Sequence, residues 1–319
     1  MKCISLFAGI GGFDLALTKL GHEIVYANEW DKYAAQTYEK NFKHKVDTRD
    51  ITTVGIEDFP DHDFLVGGFP CQAFSLAGKR LGFSDIRGNL FWEICRLLQT
   101  KHPKILLLEN VKGLLSHDNG NTFKTIIGSL DELGYDLQWQ VLNSKNFGVP
   151  QNRERVFIIG HLRGTSRPQV FPITNSNESN NDSDKKLPEQ ISNTLRTNYS
   201  SGYSNETYVG TLRTHKDGQG FREVKSGLSP TIPARAREDG NGRRFKENGE
   251  PAFTLTGQDI HGVYDGMSIR RLTPTECERL QGFPEGWTEG VSDTQRYKQL
   301  GNAVTVNVVE EIIKRLSFN

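Results

Sequence analysis

The chain predicts an α/β fold, a doubly wound and mostly parallel sheet joined to a smaller domain that is β-rich or irregular. Two observations predict it. Short apolar strands alternate with segments of helical periodicity through the first half of the sequence. A polar low-complexity stretch, NSNESNNDSDKK at 175–186, then separates that half from a region rich in Gly, Thr and Arg that lacks helical spacing. With 319 residues and 35% hydrophobic content, the chain is long enough for a large domain and a smaller one.

CISLF opens the sheet, and Phe13, Ala16, Leu17 and Leu20 follow at helical spacing, closed by Gly21 as a C-terminal cap. EIVYAN is the second strand and leads into a helix from Asp31. DFLVG is the third and runs into a loop, after which Leu90, Phe91, Ile94, Leu97 and Leu98 mark a helix. KILLLEN is the next strand, and the helix after it carries Phe123, Ile126, Ile127, Leu130 and Leu133. RVFIIGH, at 155–161, ends this region. Strands joined by right-handed helical crossovers form a parallel sheet whose ligands bind beyond the carboxyl ends of the strands, where Glu29, Cys71 and Glu109 all fall. Past the linker, NTLRT, GTLRT, PTIPA and FTLTG read as short strands between glycine turns, too unevenly spaced for a solenoid. Val304, Val308, Ile312 and Leu316 form one helical stripe that needs an apolar partner and is expected to return to the first domain.

Bulk composition excludes several classes. Formal net charge is zero, which argues against coating nucleic acid by bulk electrostatics. The distribution is uneven: residues 1–150 hold 16 Lys and Arg against 18 Asp and Glu, and residues 191–246 hold 10 against 5. The four cysteines lie far apart with no His/Cys cluster at ligand spacing, so neither a disulfide framework nor a metal is expected, and the setting is a reducing, intracellular one. MKCISLFAGIGGF mimics a signal peptide, but its apolar part is short and broken by glycines, and it reads as a first strand. The longest aliphatic run, ILLL at 105–108, is too short to span a bilayer.

Several positions can carry chemistry. LFAGIGG at 6–12 is a glycine-rich strand-to-helix turn that lets backbone approach a ligand, but Asp14 stands where a dinucleotide fingerprint needs its third glycine. Glu29 ends the second strand, where an acid can accept hydrogen bonds from a ribose diol, and Trp30 beside it can stack on a purine. The alternative for this pair is a helix-capping acid and a core aromatic. Cys71 follows Pro70 in GGFPCQAFS; a reactive thiolate needs nearby positive charge, and Lys79, Arg80 and Arg87 lie in the loop that follows. Packing as a small hydrophobe is the bland alternative. Glu109 follows a fully apolar strand and can be a proton donor, a hydrogen-bonding anchor or half of a salt bridge. Arg153 and Arg155 enter a strand two apart and are expected to point to opposite faces, one toward the site and one bracing structure. No His is placed to pair with Cys71 as in a cysteine protease, so the set suits an electron-poor heterocycle attacked by sulfur.

Taken together, SLFAGIGGFDLAL, NEWDKYAAQTY, GGFPCQAFS, RGNLF, LLENVKGL, QNRERVF, RRLTPTECERLQGFP and QLGNAV resemble, in order, the blocks of the bacterial DNA (cytosine-5)-methyltransferase family of restriction-modification type. The resemblance runs from end to end, with gaps in the variable 165–265 region. It implies an S-adenosylmethionine-dependent methyltransferase fold over 1–185 plus 297–319, with a target-recognition domain over 186–296. It also implies transfer of a methyl group from S-adenosylmethionine to C5 of a cytosine flipped out of duplex DNA, at a cost of roughly a few kcal/mol. In that reading Cys71 adds to C6, Glu109 holds N3 and the exocyclic amine, Arg155 holds O2, and Arg153, Gln72 and Ser75 complete the catalytic set, with 72–89 a mobile lid. Phe7, Gly9, Gly11, Gly12, Glu29, Trp30, Asp50, Ile51, Pro70, Leu90 and Asn302 would hold the cofactor, Phe7 and Trp30 flanking adenine and Asp50 meeting its amine. Arg235, Arg237, Arg243 and Arg244, the densest basic cluster, are the candidates for DNA contact. A bacterial cytoplasmic, DNA-associated monomer is expected, with no membrane or metal and with a cognate restriction endonuclease as its functional partner. The rival readings are a tRNA cytosine-5 methyltransferase, whose recognition insert is usually much smaller, a dehydrogenase, which Asp14 disfavours, and a non-catalytic DNA-binding relative.

Overall fold

The computed structural model describes residues 1–42, 44–70, 90–173, 228–229, 246–247, 251–257, 261–264 and 269–316. The chain divides into two compact units: Met1–Leu142, Glu154–Arg196 and Val308–Asn319 form the first, and Asn143–Arg153 with Thr197–Asn307 the second. The sequence reading had the chain leave the first domain near 185 and return at 297.

In the first unit β1 (Lys2–Leu6), β2 (Glu23–Asn28), β3 (Phe64–Gly68), β4 (Ile105–Val111), β5 (Tyr135–Asn143) and β6 (Glu154–Leu162) form one sheet in the order β2-β1-β3-β4-β6-β5. β1 pairs in parallel with β2 and β3, and β3 in parallel with β4. β6 runs antiparallel to β4, so the sheet is mostly parallel, as expected. Helices α1 (Gly12–Lys19), α2 (Lys32–Phe42), α3 (Leu90–Lys101) and α4 (Asn121–Glu132) make the connections. The interior strands are buried nearly throughout, from Cys3 to Leu6, Phe64 to Gly67 and Ile105 to Leu108. Such continuous apolar runs mark strands covered on both faces. Leu6, Leu65, Leu106 and Leu108 share a core with Phe91, Ile94 and Leu98 of α3 and Phe123, Ile126 and Leu130 of α4.

Local chemistry sets the element ends. Asp31 caps α2 by accepting from the backbone N–H groups of Tyr33 and Ala34. Gly21 ends the turn after α1 at a φ of 80°, a left-handed conformation cheap only for glycine. The expected apolar stripe lies on α7 (Val306–Arg315) and just outside it, with Val304, Val308, Ile312 and Leu316 all buried. Glu310 meets Lys19 of α1 at 3.6 Å.

In the second unit α5 (Pro274–Gln281) opens on a reciprocal capping box between Thr273 and Glu276. α6 (Asp293–Asn302) is tied to α5 by the fully buried Glu278, which accepts from Thr288 and from the Arg296 guanidinium at 3.2 Å. The described strands of this unit are short: Leu228–Ser229, Lys246–Glu247, Gly262–Tyr264 and Ile269–Arg271.

Candidate active site

The direction of chain progression reverses between β1 and β3, since β2 lies on one side of β1 and β3 on the other. This is the position at which doubly wound sheets open a ligand crevice. The turn after β1 carries positive φ at Phe7 (55°), Gly9 (58°) and Gly11 (86°). A side chain at Gly9 would meet nothing within 4 Å, whereas one at Gly11 would strike the Phe42 ring at 2.2 Å. Gly9 thus opens the backbone outward and Gly11 packs inward.

Glu29, 8% exposed at the end of β2, closes the turn: its Oε2 accepts from the Gly9 N–H at 2.8 Å and its Oε1 from the Asp31 N–H at 2.8 Å. Trp30, next along, is 75% exposed, so the core-aromatic alternative does not hold for it. Asp50 is held below the usual carboxylate range by the backbone N–H and hydroxyl of Thr52, and Ile51 is buried. Asn28 anchors this neighbourhood, donating from its carboxamide to the carbonyls of Asp47 and Arg49 at 3.0 Å each. Gly12 begins α1, Leu90 begins α3, and Pro70 is exposed beyond β3. Nine of the cofactor candidates so far named belong to strand ends or turns of the first unit that the sheet order places side by side, and Leu90 opens the helix after β3. Asn302, in the second unit, is exposed at the end of α6.

At the ends of β3 and β4 the pairing aligns Gly68 with Glu109. A Cβ on Gly68 would approach the Glu109 carboxylate to 3.2 Å, so the glycine makes room for the acid. Glu109 forms an ion pair with Arg155 Nε at 3.0 Å, the two side chains being 13% and 16% exposed. Lys112 and Glu154 make a second pair beside it at 3.0 Å. Antiparallel register sets Val111 opposite Arg155 and Glu109 opposite Phe157, which puts Arg155 on the strand face that carries Glu109.

Arg153 and Arg155 do part, but not by strand alternation, which would place residues two apart on one face. β6 starts at Glu154, so Arg153 precedes it. Arg153 is 2% exposed in the second unit and donates to the carbonyls of Leu255 (2.8 Å), Gly301 (3.0 Å) and Ala303 (2.8 Å). Arg153 thus braces backbone, the structural role expected of one of the two arginines.

Asn110 escaped the sequence reading. Its carboxamide donates to the Phe69 carbonyl at 2.7 Å, in a buried bond, and accepts from the Val111 N–H. It therefore grips the chain two residues before Cys71. The available signal was a carboxamide beside Glu109 at the end of an apolar run, because a buried amide must find partners. Cys71, Gln72 and Ser75 lie outside the described residues, as do the 72–89 loop and Arg235, Arg237, Arg243 and Arg244. Among the described residues no group of three or more His, Cys, Asp or Glu is placed to hold a metal ion, and no helix is long and apolar enough to cross a membrane.

Comparison with known proteins identifies the family. Residues 1–317 match the family described as C-5 cytosine-specific DNA methylase. The chain is 39% identical to the type II methyltransferase M.Bsp6I of Bacillus sp. (strain RFL6), covering 99% of this chain and 98% of that protein. It is 40% identical to the type II methyltransferase M.HpaII of Haemophilus parainfluenzae, covering 98% and 88%. Among solved structures, a putative DNA modification methyltransferase encoded within an Escherichia coli prophage shares the fold, with a TM-score of 0.61, 21% identity, and 99% and 98% coverage.

Two substitutions test the placements of Asn110 and Arg153. Asn110→Ala leaves the buried Phe69 carbonyl without its donor and is expected to cost about 1–3 kcal/mol in denaturant unfolding. Arg153→Lys cannot reach three carbonyls with one ammonium and is expected to cost at least about 1.5–3 kcal/mol. An unchanged unfolding midpoint with lost methylation would instead give Arg153 a catalytic role.

Proposed function

Because the chain belongs to the C-5 cytosine-specific DNA methylase family, we propose that it methylates C5 of a cytosine flipped out of duplex DNA, with Cys71 as nucleophile and S-adenosylmethionine as methyl donor. The single observation that carries the reading is the Glu109–Arg155 pair at 3.0 Å, standing level with the β3 end that leads into Pro70 and Cys71.

The residues of the β1 turn fit the cofactor. The backbone opens at Gly9, a nearly buried carboxylate is fixed beside it on Glu29, and the Trp30 indole stands exposed. An acid at the end of β2 suits a ribose diol and an exposed indole suits stacking on adenine. Phe7, Gly9, Gly11, Gly12, Glu29, Trp30, Asp50, Ile51, Pro70 and Leu90 would hold the molecule. When bound, it supplies an electrophilic methyl group on a sulfonium sulfur.

The chain's own residues must make C5 nucleophilic. C6 is stacked inside a duplex, so the base has to leave the helix. Glu109 then takes the cytosine N3 and amine edge, and Arg155, already oriented by Glu109, takes O2 and stabilises charge that develops on the ring. The Cys71 thiolate attacks C6: the S–C6 bond forms and the C5–C6 π pair moves onto C5, the carbon that is methylated. Loss of the C5 proton restores the C5–C6 double bond and expels Cys71 as thiolate. Asn110, through the Phe69 carbonyl, steadies the turn from which the thiol must act.

Duplex DNA carrying 5-fluorocytosine is expected to trap the wild-type protein in a denaturant-resistant adduct, since fluorine cannot depart as the proton does, and Cys71→Ser is expected to form none. An adduct of equal yield with the serine variant contradicts the nucleophile. The two acids separate by binding: Glu29→Ala is expected to weaken S-adenosylmethionine binding by roughly 1.5–3 kcal/mol in calorimetry. Glu109→Gln is expected to bind it nearly as wild type while methyl transfer slows severely. The reverse pattern would exchange their roles.

A further inference from the structure

Beneath the glycine-rich turn lies a polar cluster that the chemistry above does not use. Ser5 on β1, Asp14 in the first turn of α1 and Tyr38 on α2 are each 0% exposed. The Asp14 carboxylate accepts from the Ser5 hydroxyl through Oδ2 and from the Tyr38 hydroxyl through Oδ1, both at 2.8 Å. One buried acid thus joins three elements that meet at the turn.

Tyr38 also touches the turn directly. It packs in a small apolar cluster with Ala8, Ala27, Ala35 and Val46, and its ring lies where a Cβ on Gly11 would come within 3.1 Å. The orientation of this ring is set at its far end by the bond to Asp14. Burial pushes the Asp14 carboxyl up to about 6 in spite of the two hydroxyls that pull it down. A buried acid is costly where an apolar residue would pack at no such cost, so a role in specifying geometry is the natural account of it. That geometry is demanding at Phe7, a non-glycine residue at a φ of 55°, and such backbone persists only where its surroundings over-determine it.

We propose that Ser5, Asp14 and Tyr38 are positioning residues for S-adenosylmethionine: without touching the cofactor, they set its affinity by locking the 7–11 turn in its binding geometry. The proposal rests on the cofactor reading above. Loosening the cluster frees the turn to leave the bound shape, so ordering must be repeated at each binding event and affinity falls. The chemistry at the ends of β3 and β4 lies on other strands and is left intact once the cofactor is bound.

Calorimetric titration of the full chain with S-adenosylmethionine tests this. Tyr38→Phe and Ser5→Ala each remove one hydroxyl and are expected to raise the dissociation constant about tenfold. Asp14→Asn is expected to stay within about threefold of wild type, since its carboxamide oxygen still accepts from Tyr38 and its N–H can donate to the Ser5 oxygen. In steady-state methylation the two hydroxyl variants are expected to raise the KM for S-adenosylmethionine about tenfold, with kcat at saturation within about twofold of wild type. If Ser5→Ala does not fold, Tyr38→Phe decides alone, because it keeps the ring. Wild-type affinity in the hydroxyl variants overturns the proposal, as does a kcat that falls with KM unchanged. Absence of binding by the wild-type chain overturns the cofactor reading itself, an outcome that does not involve the variants.

Discussion

The parallel hydrogen-bonded pairing of β1, β3 and β4 is the constraint on which the remainder depends. Leu6 pairs with Gly67 and Gly68 with Glu109, so the glycine turn after β1, the end of β3 and the acid on β4 are brought to one edge of the sheet. The glycines at 67 and 68 are part of the same constraint. A Cβ at Gly67 would come within 3.1 Å of the Leu6 carbonyl, and one at Gly68 would crowd the Glu109 carboxylate. A slip of one residue in this pairing would turn every side chain to the opposite face and dissolve the arrangement.

Three buried or nearly buried carboxylates stand along that edge, and each is stabilised by a different kind of donor. Glu29 takes two backbone N–H groups, Glu109 a guanidinium, and Asp14 two hydroxyls. The choice of donor matches what each acid must do. Backbone amides fix Glu29 to the turn it closes. The Glu109–Arg155 pair is a charged clamp whose members share one face, and removing either leaves an ion that is hard to hydrate, a loss of about 3–5 kcal/mol for a fully buried pair. Burial raises the Asp14 carboxyl above the usual carboxylate range, and its two hydroxyl donors offset that only in part.

Much of this was legible in the sequence, because the signals were local. Alternating apolar runs and helical spacing marked β1 to β4 and their helices, Asp31 and Gly21 marked ends, and Glu29 and Glu109 stood out as acids directly after apolar strands. β5 was not read as a strand: YDLQWQVLN is half-buried along most of its length and lacks the continuous apolar run of the interior strands. The antiparallel direction of β6 was equally silent, since direction depends on how a connection crosses the sheet and not on the strand's residues. Asn110 and Arg153 show the limit most clearly. Both are polar groups whose partners are backbone carbonyls, 41 residues away for Asn110 and 102 to 150 for Arg153, and backbone carbonyls carry no sequence signature.

The central claim is that this sheet edge directs methylation to carbon 5 of cytosine and to no exocyclic nitrogen. Incubating the purified chain with unmethylated duplex DNA and methyl-labelled S-adenosylmethionine, then resolving the digested nucleosides by mass spectrometry, tests it most directly. The account expects label in 5-methyl-2′-deoxycytidine alone, and label in N4-methylcytosine or N6-methyladenine, or DNA left unlabelled while RNA is methylated, would contradict it.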